Sequence, residues 1–199
     1  LGIPAVMKVH GSDVKLHGQH RLRAMQIRWA MKRASAVITV SQALADRLVE
    51  IGVERGKIRT IYNGVNHSVF YPQDTETCRQ DLGVKSDKAL VLFIGNLKQE
   101  KGCVDLAKAF AAIATDEPNL DLYYIGSGKE KQAILEHARN AGLEGRVNML
   151  GSMGHSDLRK WINASTLVAL PSYNEGVPNV LLEAMTCGKP VLASRVGGI

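Results

Sequence analysis

The sequence predicts an α/β protein made of two parallel-sheet units. Three observations predict it. Short, almost wholly apolar runs such as ALVLFIG (89–95) and PVLAS (190–194) recur along the chain, as strands buried on both faces of a sheet do. Between them lie longer stretches whose apolar residues follow helical spacing. This alternation occurs as two series, separated by a polar, turn-rich stretch.

The first series reads as strand Ala5 to Val9, helix Gln19 to Ala34, strand Ala36 to Val40, helix Gln42 to Ile51 and strand Ile58 to Tyr62. NGVNHSVFYPQDTETCRQDLGVKSDK follows, with turn residues and mixed polarity that suit an interdomain connection. The second series is more regular. ALVLFIG, LDLYYIG, RVNML, TLVALPS and PVLAS are its strands, and Val104 to Ala114, Glu130 to Ala141, Ser156 to Ala164 and Asn179 to Thr186 its helices, the last starting after Pro178. Residues 1–70 are expected to form the first unit, 71–88 the linker and 89–199 the second. The chain opens on a strand and stops on a glycine turn, so the first unit is expected to be truncated at its N-terminus and the second at its C-terminus.

Composition narrows the class. Of the 199 residues, 45% are hydrophobic and 22% charged, ordinary for a soluble globular protein. No apolar run is long enough to span a bilayer and there is no signal-peptide pattern. Cys78, Cys103 and Cys187 are widely spaced, odd in number and without C-x-x-C spacing, which argues against a disulfide framework and a zinc site and for a reducing cytoplasm. The net charge of +6 has one source. Between Val14 and Ala45 there is no acid, while Lys15, Arg21, Arg23, Arg28, Lys32 and Arg33 supply the excess. Leu22, Met25 and Trp29 interleave these charges at i, i+3, i+7 spacing; they are expected to pack into the first unit, the alternative being a surface for anionic headgroups through Arg21, Arg23 and Arg28.

In open parallel sheets ligands bind beyond the carboxyl ends of the strands. The loops there read GNLKQEKG, GSGKEK, GSMGHSD and SYNEGVPN. A dinucleotide fingerprint on Gly126 and Gly128 would need a third glycine where Lys131 stands; a P-loop ending at Gly128-Lys129 would need glycine at Tyr123 and a hydroxyl residue at Glu130. Both fail. What remains is a multi-loop anion site made of helix starts and lysines.

Taken together, HGSD (10–13), VSQALADRL (40–48), IYNGVNHSVFYP (61–72), FIGNLKQEKG (93–102), YIGSG (124–128), NMLGSMGHSDL (148–158) and LPSYNEGVPNVLLEAMTCGKPV (170–191) resemble the family 4 retaining glycosyltransferases of the GT-B fold. The last block holds the family's E-x7-E pattern as Glu175 and Glu183. The resemblance implies two Rossmann-like units, an N-terminal acceptor domain and a C-terminal donor domain, and transfer of a sugar from a nucleotide-diphosphate sugar to an acceptor hydroxyl in cell-surface polysaccharide or glycolipid synthesis. The acceptor would be a glycan or lipid-linked. No cofactor, metal or nucleic-acid partner is implied, and the location would be cytoplasmic, at the inner membrane face if the basic helix binds lipid.

The resemblance also assigns roles. His10, Lys101 and Glu175 are the catalytic candidates: His10 would face the donor sugar, Lys101 would neutralise its phosphates and Glu175 would accept hydrogen bonds from the transferred sugar. Gly95, Asn96, Gly126, Met153, Gly176, Val177, Pro178, Asn179, Val180 and Glu183 complete the donor site, with the phosphates against the helix start after Pro178, the ribose on Glu183 and the base near Leu150 to Met153. Asn96 departs from the arginine many members carry, and Lys98 is the nearest substitute. Asp13 fits a capping role as well as a site role. Two rival readings are a non-catalytic nucleotide-sugar-binding fragment and, on the fold alone, a Rossmann oxidoreductase.

Overall fold

The computed structural model describes residues 3–10 and 21–199, Arg21 by its backbone alone. Asp13, Lys15, the side chain of Arg21 and the expected helix start at Gln19 lie outside the described residues. The chain divides into two compact units, one of residues 1–64, 174–178 and 195–199, the other of residues 65–173 and 179–194.

The first unit carries strands β1 (Val6–Val9), β2 (Ala36–Thr39) and β3 (Ile58–Thr60), parallel in that order, with helices α1 (Arg21–Arg33) and α2 (Gln42–Glu50). Val9, Val37, Leu44, Leu48 and Ile58 form its core. The Ser41 hydroxyl caps α2 by accepting from the Leu44 N–H at 3.3 Å. The expected packing of Leu22, Met25 and Trp29 is not what α1 does: they are 72%, 53% and 60% exposed. Helix α1 has a second apolar stripe at the same spacing, Ala24, Ile27 and Met31, and Met31 and Ile27 are the ones in the core. Lys57 Nζ closes the end of α1, donating to the Lys32 carbonyl at 2.8 Å and the Ala34 carbonyl at 3.3 Å.

The second unit is a five-stranded parallel sheet of β4 (Ala89–Ile94), β5 (Leu120–Ile125), β6 (Val147–Gly151), β7 (Leu167–Leu170) and β8 (Val191–Ala193), in the order β6-β5-β4-β7-β8. Its helices are α3 (Thr75–Leu82), α4 (Cys103–Ile113), α5 (Lys131–Asn140), α6 (His155–Ala164) and α7 (Asn179–Thr186). Successive residues of β4 point to opposite faces: Leu90, Leu92 and Ile94 join Trp161 and Ile162 of α6, while Phe93 joins Phe110 of α4 and Ile134 of α5. The chain runs from β4 outward to β5 and β6, then returns to the other side of β4 with β7 and β8. Between the carboxyl ends of β4 and β7 lies the topological switch point, where open sheets of this kind leave a crevice.

Helix α3 has no counterpart among the elements read from the sequence. Asp74 starts it, its carboxylate accepting from the Thr77 N–H at 2.8 Å, and Gly83 ends it at φ +67°. Its buried face holds Arg79 where an apolar residue would have signalled a helix. That guanidinium donates to the carbonyls of Ala164 and Ser86, both at 3.0 Å, and to the Thr166 hydroxyl at 3.3 Å.

Candidate functional site

The strand hydrogen-bond ladder of the second unit continues into the loops. Beyond β4 and β5, Gly95 N–H donates to the Ile125 carbonyl and Leu97 N–H to the Ser127 carbonyl, each at 2.9 Å. Gly126 N–H donates to the Gly151 carbonyl at 2.8 Å, and Tyr173 N–H to the Glu100 carbonyl at 2.9 Å. The exits of β6, β5, β4 and β7 thus form one shelf of main-chain groups. Gly126 sits at φ +137°, and a Cβ there would lie 2.0 Å from the Gly95 carbonyl oxygen. No other residue type fits.

Lys101 stands on this shelf in a single 3-10 turn, Gln99–Lys101, directly before α4. Gly102 joins the two at φ +64°, and a Cβ on it would lie 2.0 Å from the Pro171 carbonyl oxygen, beyond the end of β7. The turn is tied from the inside as well. The buried Tyr124 hydroxyl donates to the Cys103 carbonyl at 2.8 Å, and the Cys103 thiol donates to the Lys98 carbonyl at 3.4 Å. Burial pushes the Tyr124 phenol far above its ordinary range and raises the Cys103 thiol, so both remain protonated donors at neutral pH. Asn96 and Lys98 are exposed, and the Lys98 N–H donates to the Asn96 carbonyl at 2.9 Å.

Helix α7 starts at Asn179, after Pro178, where a proline's missing N–H costs no helical bond. Glu183 is on this helix and half-buried; burial raises its carboxyl above 4.5, and His155 at the start of α6 partly offsets the rise. Met153 is partly buried against the core cluster shared by β4 and α6. The second unit therefore brings together Gly95, Asn96, Lys101, Gly126, Met153, Asn179, Val180 and Glu183 on the carboxyl side of one sheet.

The remaining candidates fall in the first unit. His10 follows β1 directly and is exposed. Glu175 is buried, and residues 174–178 belong to this unit. Val177 packs against its core, while Gly198 approaches the Gly176 carbonyl so closely that a Cβ would lie 2.1 Å from that oxygen. The side chain of Val177 thus anchors the acidic turn, a role the sequence reading did not give it. Tyr124, Cys103, Pro171 and Tyr173 were also missed; the one signal that pointed to their neighbourhood was Gly102. Among the described residues, no cluster of three His, Cys, Asp or Glu could hold a metal ion, and no helix is long and apolar enough to cross a membrane.

Comparison with known proteins agrees with the geometry. The profile of the glycosyl transferases group 1 matches residues 74–199, and that of glycosyltransferase family 4 matches residues 1–69. The chain belongs to the glycosyl transferases group 1 family, and its two parallel-sheet units are of the GT-B type. It is 31% identical over 99% of its length to the N-acetyl-alpha-D-glucosaminyl L-malate synthase of Bacillus anthracis, 51% of which it covers. It is 29% identical to the putative teichuronic acid biosynthesis glycosyltransferase TuaC of Bacillus subtilis, over 99% of this chain and 48% of that one. Among solved structures, Anabaena Alr3699/HepE in complex with UDP superposes with a TM-score of 0.85 at 30% identity, covering 98% of this chain and 54% of that one. The chain spans about half the length of these relatives. Family membership sets aside the oxidoreductase reading.

The Gly102 contact yields a stability prediction. Gly102→Ala should cost about 3 kcal/mol or more, because a main-chain carbonyl must move. Gly142→Ala is the control: it has a similar φ of +67° but nothing within 4 Å, so it should cost only about 1 kcal/mol. Urea denaturation of the two variants checks the difference; equal losses would mean that the Pro171 contact is not constraining.

Proposed function

We propose that this chain carries the donor-binding machinery of a retaining glycosyltransferase, which moves a sugar from a nucleotide-diphosphate sugar to an acceptor hydroxyl. The observation that carries the reading is the convergence of the Lys101 turn and the start of α7 on the switch point between β4 and β7. Family membership supports it, as do solved structures of Anabaena Alr3699/HepE with UDP and with UDP-glucose.

In this reading the main-chain N–H groups at the start of α7 and the ammonium of Lys101 hold the diphosphate. Charge grows on the leaving phosphate oxygen as the bond from the sugar's anomeric carbon to that oxygen breaks, and a fixed cation there stabilises the transition state. The acceptor oxygen bonds to the same carbon from the same face, and its proton passes to a donor phosphate oxygen. Glu183 accepts from the ribose, Glu175 orients the transferred sugar and His10 faces it. The product class is a cell-surface polysaccharide or a glycolipid. The acceptor side is the unit of residues 1–64, 174–178 and 195–199 and the donor side that of 65–173 and 179–194; the stretch 71–88, expected as a linker, lies within the donor unit and carries α3.

These roles separate in titration calorimetry. Lys101→Ala should weaken UDP and UDP-glucose alike, by about tenfold or more, whereas Glu175→Ala should weaken UDP-glucose and leave UDP nearly unchanged. Equal losses of both ligands in Glu175→Ala would contradict the division.

Glu183 supplies a pH dependence. Its folded carboxyl titrates above 4.5, so native Glu183 holds its proton where the unfolded carboxyl has lost it, and the stability cost of charging it grows as pH rises through the folded value. A ribose hydroxyl donates to the charged form. UDP-glucose affinity should therefore fall as pH is lowered through that value, and Glu183→Gln should flatten the dependence in this window. An unchanged slope in Glu183→Gln would remove Glu183 from the donor site.

A second reading concerns α1 and rests on the exposure of Leu22, Met25 and Trp29. The helix contains no acid, and the Arg33 guanidinium lies 3.8 Å over the Trp29 ring. We propose that this face docks on anionic lipid, at the inner face of the membrane, with Arg21, Arg23 and Arg28 contributing on the order of 1 kcal/mol each. Co-sedimentation should show binding to anionic vesicles that weakens with salt and with Arg23→Gln/Arg28→Gln; equal binding to neutral vesicles would reject it.

A further inference from the structure

We infer that Tyr173 is a positioning residue for the Lys101 turn, acting through Glu100 and Asp105. The inference rests on the donor-site reading of Lys101. Tyr173 makes two hydrogen bonds that straddle the turn: its main-chain N–H donates to the Glu100 carbonyl at 2.9 Å, and its hydroxyl donates to Asp105 Oδ2 at 3.0 Å. Glu100 precedes Lys101, and Asp105 lies in the first turn of α4. The rigid phenol therefore spans the junction between the 3-10 turn and the helix, fixing the segment on both sides of Lys101.

Burial gives no other account of this residue. Tyr173 is 63% exposed and belongs to no core cluster, so its ring is not held there by packing. It extends a contact already present on the same strand exit: Pro171, two residues earlier, has its carbonyl pressed against Gly102. Gly102, Glu100 and Asp105 are thus all held by residues 171–173, which leave β7 just before the acidic turn at Glu175. The hydroxyl bond to Asp105 also raises the Tyr173 phenol above its ordinary range, which keeps the donor protonated. A cation that must meet phosphate oxygens is sensitive to misplacement of an ångström or less. Asp105 has a further ionic neighbour, Lys108 at 3.7 Å on the same helix, which does not reach across the turn.

The test is calorimetric titration of UDP into the unsubstituted chain, Tyr173→Phe, Lys101→Ala and the double variant, with Asp105→Ala and Asp105→Asn alongside. Tyr173→Phe should weaken UDP roughly fivefold, because binding must then also order the Lys101 turn, while an exposed local bond adds little to global stability and leaves the melting temperature nearly unchanged. It should add nothing in the Lys101→Ala background, because it acts through that lysine. Asp105→Ala should reproduce the loss, and Asp105→Asn, which keeps an acceptor oxygen, should restore most of the affinity. An additive loss in the double variant, wild-type affinity in Tyr173→Phe, or a loss matched by a fall in melting temperature would overturn the inference while leaving the donor site standing. No UDP binding by the unsubstituted chain, or none lost on Lys101→Ala, would overturn the donor-site reading and this inference with it.

Discussion

Main chain packs on main chain where the strands of the second sheet end, and the rest of the candidate site depends on that contact. Parallel strands stand at a spacing that leaves no room for side chains between neighbouring backbones. Once the ladder runs past β4 and β5 into the loops, any residue that turns its Cβ toward the next loop must be glycine. Gly126 against Gly95 and Gly102 against Pro171 meet that condition. The result is a surface of peptide groups that a ligand can approach closely, with Lys101 standing on it.

Such a shelf would be loose if only glycines defined it, because glycine loses more conformational freedom on ordering than any other residue. Buried donors counter that looseness. Tyr124 reaches the Cys103 carbonyl from within the sheet, and the Cys103 thiol holds the Lys98 carbonyl. Burial that keeps these groups protonated also raises the Glu183 carboxyl on α7. Low polarity around the shelf thus stabilises the ties and makes a nearby carboxylate responsive to a hydroxyl donor.

The central strands of the second sheet were legible because doubly buried strands leave uninterrupted apolar runs, and the eight strands among the described residues were read within a few residues of their observed ends. Two helices show where this kind of reading fails. On α1 two apolar stripes share one spacing, and periodicity cannot say which enters the core; Ile27 and Met31 do, and Leu22, Met25 and Trp29 do not. On α3 a buried Arg79, satisfied by the nearby Ser86 carbonyl and by Ala164 and Thr166 from a distant segment, occupies the place of an apolar anchor. The candidate residues were legible through their motifs, but the ties between them were not. Tyr173 meets Asp105 across 68 residues of sequence, a pairing that only the order of strands in the sheet creates.

Hydrogen exchange on the chain with and without UDP-glucose tests the central claim most directly, because it reads the shelf amide by amide. The account predicts added protection concentrated at 95–103, 126–128 and 179–183, with α1 unchanged. Protection absent from those three segments, or centred elsewhere in the sheet, would contradict it.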